Sequence, residues 1–159
     1  MERIEIDFGK AVKKIKPVNG VGNGPLQAGF NRDLTEHYQK LGIPYARLHD
    51  TEGRMGSGEW VNIHCVFPDF DADPEDPRSY NFTCTDLYFQ AIQAAGTKLF
   101  YRLGETIENS PLLKKYVHPP KDYTKWARIC EGIIRHYNEG WADGFYMGIQ
   151  YWEIWNEPD

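Results

Sequence analysis

Asn156 and Glu157 stand side by side directly after the run Tyr151-Trp152-Glu153-Ile154-Trp155 and directly before Pro158. An aromatic and β-branched run of this kind favours a strand, and a proline stops its pairing. The pattern places an amide and a carboxyl group together at the C-terminal tip of a strand expected to be buried. Walls of indole exclude water and favour the protonated form of such a carboxyl group, which suits it to act as a general acid. The same rings offer a sugar an apolar face to stack on. The structural reading of the same residues is a solvated carboxylate close to the last residue of the sequence and an asparagine in a turn. The type of strand that precedes them favours the chemical reading.

Other residues converge on that tip. Ile43-Pro44-Tyr45-Ala46-Arg47-Leu48-His49-Asp50 reads as a strand, and its alternation puts Tyr45, Arg47 and His49 on one face. A buried arginine needs a carboxylate. Glu153, which shares a face with Trp155 and Glu157, is one expected partner for Arg47. His49 is either a cleft residue or a satisfied core histidine, and Asp50 either binds a hydroxyl group or caps the next loop. Arg102 and Glu105 end a further strand and are placed at the cleft rim. Trp152 and Trp155 differ in parity, and Trp155 is expected to face the cleft.

These side chains need a scaffold that brings strand tips together. Val18 to Pro25 reads as a short strand and a glycine-rich turn. Phe30, Leu34, Tyr38 and Leu41 recur at helical spacing, closed by Gly42. After the strand 43–50, residues 51–82 read as a long irregular loop. Asp86 to Gly96 reads as a helix with Leu87, Ile92 and Ala95 inward, followed by the strand Thr97 to Leu103. Asp122 is the expected cap of a helix carrying the stripe Trp126, Ile129, Cys130, Ile133, Ile134 and Tyr137. Ile149 to Trp155 is the last strand. Residues 1–16 are an entry arm. Alternating strands and helices define an α/β chain with parallel strands, and its longest loops lie at the ends where active sites are built.

Composition narrows the function further. With 159 residues, 41% hydrophobic and 26% charged, the chain is an ordinary globular domain. A net charge of −5 gives no surface for nucleic acid. No apolar span or signal sequence is visible, so neither a membrane nor a secretory route is expected and the chain reads as cytoplasmic. Cys65, Cys84 and Cys130 have no zinc or disulfide spacing. The glycine-rich turn lacks the phosphate-binding pattern. Asp69, Asp71 and Asp73 alternate as calcium ligands do, yet Pro74 stands where an EF-hand needs glycine and the distal glutamate is missing. No metal and no cofactor are expected. A metal hydrolase built on His49, Asp50 and His64 lacks ligand spacing.

Trp155-Asn156-Glu157-Pro158 resembles the acid/base motif at the end of strand 4 in the retaining glycoside hydrolases of clan A, and Tyr151 to Asp159 is most similar to family 39, the β-xylosidase and α-L-iduronidase family. The resemblance covers most of the chain from Val18 onward. It implies the N-terminal part, strands 1–4, of a (β/α)8 TIM barrel, with residues 1–159 as the first half of the catalytic domain. It implies Glu157 as acid/base, Asn156 as a hydrogen-bond partner of the sugar 2-hydroxyl, Arg47 close to the nucleophile, and His49 in contact with the sugar. The implied nucleophile is a glutamate at the end of strand 7, and no residue here matches it. A complete barrel takes roughly 250 residues. The expected partners are a carbohydrate substrate and the remainder of the barrel, in the same polypeptide or in a second chain. An autonomous, non-catalytic carbohydrate-binding or assembly module is the alternative.

Overall fold

In the computed structural model of the protein, residues 4, 7, 9–10, 13, 16–27, 31–48, 60–104 and 119–155 are described. In chain order the elements are β1 (Val21–Gly22), β2 (Leu26–Gln27), β3 (Arg32–Asp33), α1 (Thr35–Leu41), β4 (Tyr45–Leu48), α2 (Ile63–Val66), a 3-10 turn (Pro77–Ser79), α3 (Thr83–Ala94), β5 (Lys98–Leu103), α4 (Tyr123–Glu139) and β6 (Tyr151–Ile154). Strands β1, β4, β5 and β6 form one sheet in that order, every pair parallel. Spatial order equals chain order, and helices fill the crossovers. This is the N-terminal part, strands 1–4, of a (β/α)8 barrel. A small antiparallel pair, β2 with β3, follows β1 and is an addition to the expected pattern.

Alternation divides the sheet into two chemically different faces. Ala46, Leu48, Leu99, Tyr101 and Leu103 are buried on one face, where they meet Phe89 and Ile92 of α3 and Ile129, Ile133 and Tyr137 of α4. Tyr45, Arg47, Phe100, Arg102, Tyr151 and Glu153 have the opposite parity. The second face is therefore the one that a closed barrel turns inward.

The helices follow local signals with two corrections. Asp122 caps α4 by accepting from the backbone N–H groups of Thr124 and Lys125 at 2.8 and 3.0 Å. Gly140 and Gly42 end α4 and α1 in the left-handed region at φ 75° and 58°, which glycine enters without a Cβ penalty. Helix α3 begins three residues earlier than the expected start at Asp86, with the Asn81 side chain accepting from Thr83 N at 3.3 Å. Its inward face is Thr85, Tyr88, Phe89 and Ile92, spaced as one helical stripe. Leu87, expected inward, is exposed, and so is Leu41 of α1.

Residues 60–82, read from sequence as irregular, are a packed part of the structure. Trp60, Val61, Ile63, Val66 and Phe67 are buried. Tyr101 Oη donates to Val61 O at 2.8 Å, and Ile63 N donates to the carbonyl oxygen of Gly104 at 3.1 Å. The Thr85 hydroxyl donates to the Trp60 carbonyl. This segment thus lies across the C-terminal end of β5.

Helices α3 and α4 are joined by a buried polar cluster. Tyr137 Oη donates to Asp86 Oδ1 at 2.9 Å, and His136 Nε2 lies 3.0 Å from the same oxygen. His136 Nδ1 faces the Trp141 carbonyl at 3.0 Å, and Phe82 stacks on the imidazole ring. Burial first, then the oxygens of Tyr101 and Asp86, push ionisation of Tyr137 well above the usual tyrosine range. Asp86→Ala removes the acceptor from two buried groups at once. Denaturant unfolding should show a loss of about 2–4 kcal/mol, since each donor stranded away from water costs 1–3 kcal/mol. A loss below about 0.5 kcal/mol would show that the cluster contributes nothing net.

Candidate active site

The strand tips of a parallel barrel carry its chemistry. Of the residues expected there, Arg47, Arg102 and Trp155 are described. Glu157, Asn156, His49, Asp50 and Glu105 lie outside the described residues.

Arg47 is held by two hydrogen bonds to Glu153. Its Nε donates to Oε2 at 2.6 Å and its Nη2 donates to Oε1 at 2.5 Å. The pair joins β4 to β6 across the intervening β5, a span of about 10 Å at the usual strand separation. The parity that put both side chains on one face is what permits it. Both are half-buried, with side chains 36% and 25% exposed. Arg47 is therefore less buried than expected. Strand β6 is also less buried than expected. Among the described residues it has a neighbouring strand on one side, and Tyr151 and Ile154 are 47% and 63% exposed.

Arg102, placed at the cleft rim by sequence, is fully buried and shares this face. Its Cα pairs with that of Glu153, and its Nη2 donates to Asn62 Oδ1 at 3.2 Å. Asn62 is itself fully buried at the start of α2. The signal for Arg102 was present in its parity, identical to that of Phe100. For Asn62 no local signal exists, because its burial arises from the fold of residues 60–67 over β5.

Trp155 corrects the parity argument at the tip. Its backbone has φ 63°, a left-handed conformation that bulky residues rarely adopt. Alternation therefore stops at Ile154 and does not carry through to Trp155. Trp155 N still donates to Leu103 O at 2.8 Å. Its ring centroid lies 6.4 Å from that of Trp126 on α4. Gly104 makes the close approach possible, because a Cβ there would stand 2.9 Å from Trp155 Cα.

Two other readings meet the geometry. Asp69, Asp73 and Asp76 each accept from the backbone N–H two residues on, at 2.9 Å, and act as turn formers. The Arg78 side chain and backbone hold the Asp76 carboxyl down to about 2. Among the described residues no cluster of His, Cys, Asp and Glu is arranged to hold a metal. His64 Nε2 lies 3.1 Å from Cys65 Sγ. No helix among the described residues is long and apolar enough to cross a membrane. A cavity of about 330 Å³, lined by Tyr45, Gln93, Thr97, Lys98 and Gln150, lies at the N-terminal ends of β4, β5 and β6. That is the end opposite the motif, where barrels keep stability rather than chemistry, so its size does not make it the site.

Parallel strands in barrel order, with a guanidinium–carboxylate pair on the inner face, define an α/β protein with the N-terminal strands of a barrel. The family model for glycosyl hydrolases family 39 matches residues 2–159, and the chain belongs to that family. It is 25% identical over 152 residues to a β-xylosidase of Geobacillus stearothermophilus, a match covering 87% of this chain and 28% of that enzyme. It is also similar to the crystal structure of a glucosidase from Croceicoccus marinus, with a TM-score of 0.74 and 26% identity, covering 94% of this chain and 30% of that one. The chain thus spans less than a third of the length of either relative.

Proposed function

We propose that the sequence is the first half of the catalytic barrel of a retaining glycoside hydrolase acting on a β-xyloside or a related glycoside. The observation that carries this reading is the Arg47–Glu153 pair on the inner face of β4 and β6, with Glu153 two residues before the Trp-Asn-Glu-Pro motif in sequence, in a chain of family 39.

In this reading Glu157 protonates the leaving oxygen while a glutamate of the second half attacks the anomeric carbon. The glycosidic C–O bond breaks, and a covalent glycosyl ester forms. Glu157, now a carboxylate, takes a proton from water. That water attacks the anomeric carbon and releases the enzyme carboxylate. Retaining chemistry places the two carboxyl groups about 5 Å apart. Asn156 binds the 2-hydroxyl group, His49 and Asp50 bind other sugar hydroxyls, Arg47 sits beside the nucleophile, and Trp155 and Glu105 form the rim.

The named relatives divide between xylose and glucose, so the test compares 4-nitrophenyl β-xyloside with the β-glucoside. The complete polypeptide, containing all eight strands, should hydrolyse the xyloside with the larger kcat/KM. Proton NMR should show the β-anomer as the first product. Release of the α-anomer first would exclude the retaining mechanism, and hydrolysis of neither glycoside would exclude the proposed specificity.

A further inference from the structure

Stability alone does not account for the form of the Arg47–Glu153 pair. Fully exposed ion pairs contribute on the order of 1 kcal/mol or less, and a half-buried bidentate pair contributes more. Its geometry does something further. Two parallel N–H···O bonds fix the plane and direction of a guanidinium in a way that a single charge contact does not.

Several features suit Glu153 to that task. It reaches Arg47 across a whole intervening strand, so the two side chains meet over the middle of the inner face rather than at a strand–strand contact. Its bonds come from Nε and Nη2, the same edge of the fork, so the plane of the guanidinium is set by two parallel contacts. Arg102, paired in register with Glu153 and held by Asn62, places a second guanidinium-bearing side chain on the same face beside the carboxylate. Glu153 is also only four residues before Glu157.

We propose that Glu153 is a positioning residue that fixes the plane and direction of the Arg47 guanidinium, so that Arg47 meets the nucleophile in one set orientation. Glu153 acts through Arg47 and does not itself touch the sugar. The inference rests on the reading of Arg47 as a cleft residue of a glycosidase.

The test is a double-mutant cycle in the complete barrel with 4-nitrophenyl β-xyloside, using wild type, Arg47→Met, Glu153→Gln and the double variant. Arg47→Met should lower kcat/KM by about 100-fold or more, and Glu153→Gln by about 10- to 100-fold, chiefly in kcat. The double variant should be no worse than Arg47→Met alone, because removing the arginine removes the group through which Glu153 is proposed to act. A merely structural glutamate would lower the melting temperature and multiply its loss onto that of Arg47→Met. Multiplicative losses, or wild-type kinetics in Glu153→Gln, overturn the proposal while leaving the glycosidase reading intact. A wild-type barrel that hydrolyses no glycoside overturns both. If Glu153→Gln does not fold, Glu153→Asp replaces it. That variant keeps the charge, shortens the reach by one methylene, and should show the same non-additivity.

Discussion

Glu157→Gln in the complete barrel should lower hydrolysis of a xylobioside by about 10²- to 10⁴-fold, the usual worth of general acid–base catalysis. A sugar leaving group is a poor one and needs the proton that glutamine does not supply. A 2,4-dinitrophenyl xyloside departs without that proton, so its glycosyl transfer to the enzyme should remain fast. The second step then becomes limiting, because water has lost its general base. A burst of dinitrophenol followed by slow turnover is the expected trace. Azide needs no base. It should restore turnover of the activated substrate and yield the β-xylosyl azide. Equal loss on both substrates, with no effect of azide, would remove Glu157 from the role of acid/base. The variant is nearly isosteric, so folding should be unchanged and the kinetic pattern carries the test.

How far the site was legible depends on which physical rule governed each residue. Period-2 alternation holds rigidly inside a strand, and so Arg47 and Glu153 are assignable to one face, with Glu153 one of two carboxylates expected to hold Arg47, from 106 residues apart. The stripe on α4 and the caps at Asp122 and Gly140 are likewise local and visible. The rule failed where the backbone left the strand. Trp155 is left-handed, and nothing in its residue type announces that. The sequence reading puts Leu87 inward and Leu41 on a helical stripe, yet exposure is decided by the stripe that the neighbouring elements select, Thr85, Tyr88, Phe89 and Ile92 in α3. Residues 60–67 looked irregular because no period runs through them. Their order comes from contacts with Tyr101, Arg102 and Gly104, which lie 40 residues or so further along. Such tertiary order leaves no trace in a sequence window.

Residues 1–159 prepared alone should hydrolyse no aryl xyloside, at a rate at least about 10⁵-fold below the complete barrel, since removal of a nucleophile that acts with a partner group costs about that much. The half nonetheless has much of its own order. The Arg47–Glu153 pair is formed, Arg102 and Asn62 are buried together, and the apolar face is covered by α3 and α4. The opposite face is only partly covered, with Tyr151 half-open, and the strand edges at β1 and β6 are unpaired among the described residues. Bare parallel edges favour association. Mixing this half with a separately prepared second half should therefore restore turnover, with a dependence on concentration that reports their affinity. Arg47→Met in the first half should weaken the restored activity far more than it weakens association, because its ion pair with Glu153 lies within this half while the guanidinium orients the reacting groups. Hydrolysis by a clean monomer of residues 1–159 would refute the requirement for a second carboxylate. Equal effects of Arg47→Met on association and on turnover would place Arg47 at the seam between the halves rather than at the reacting centre.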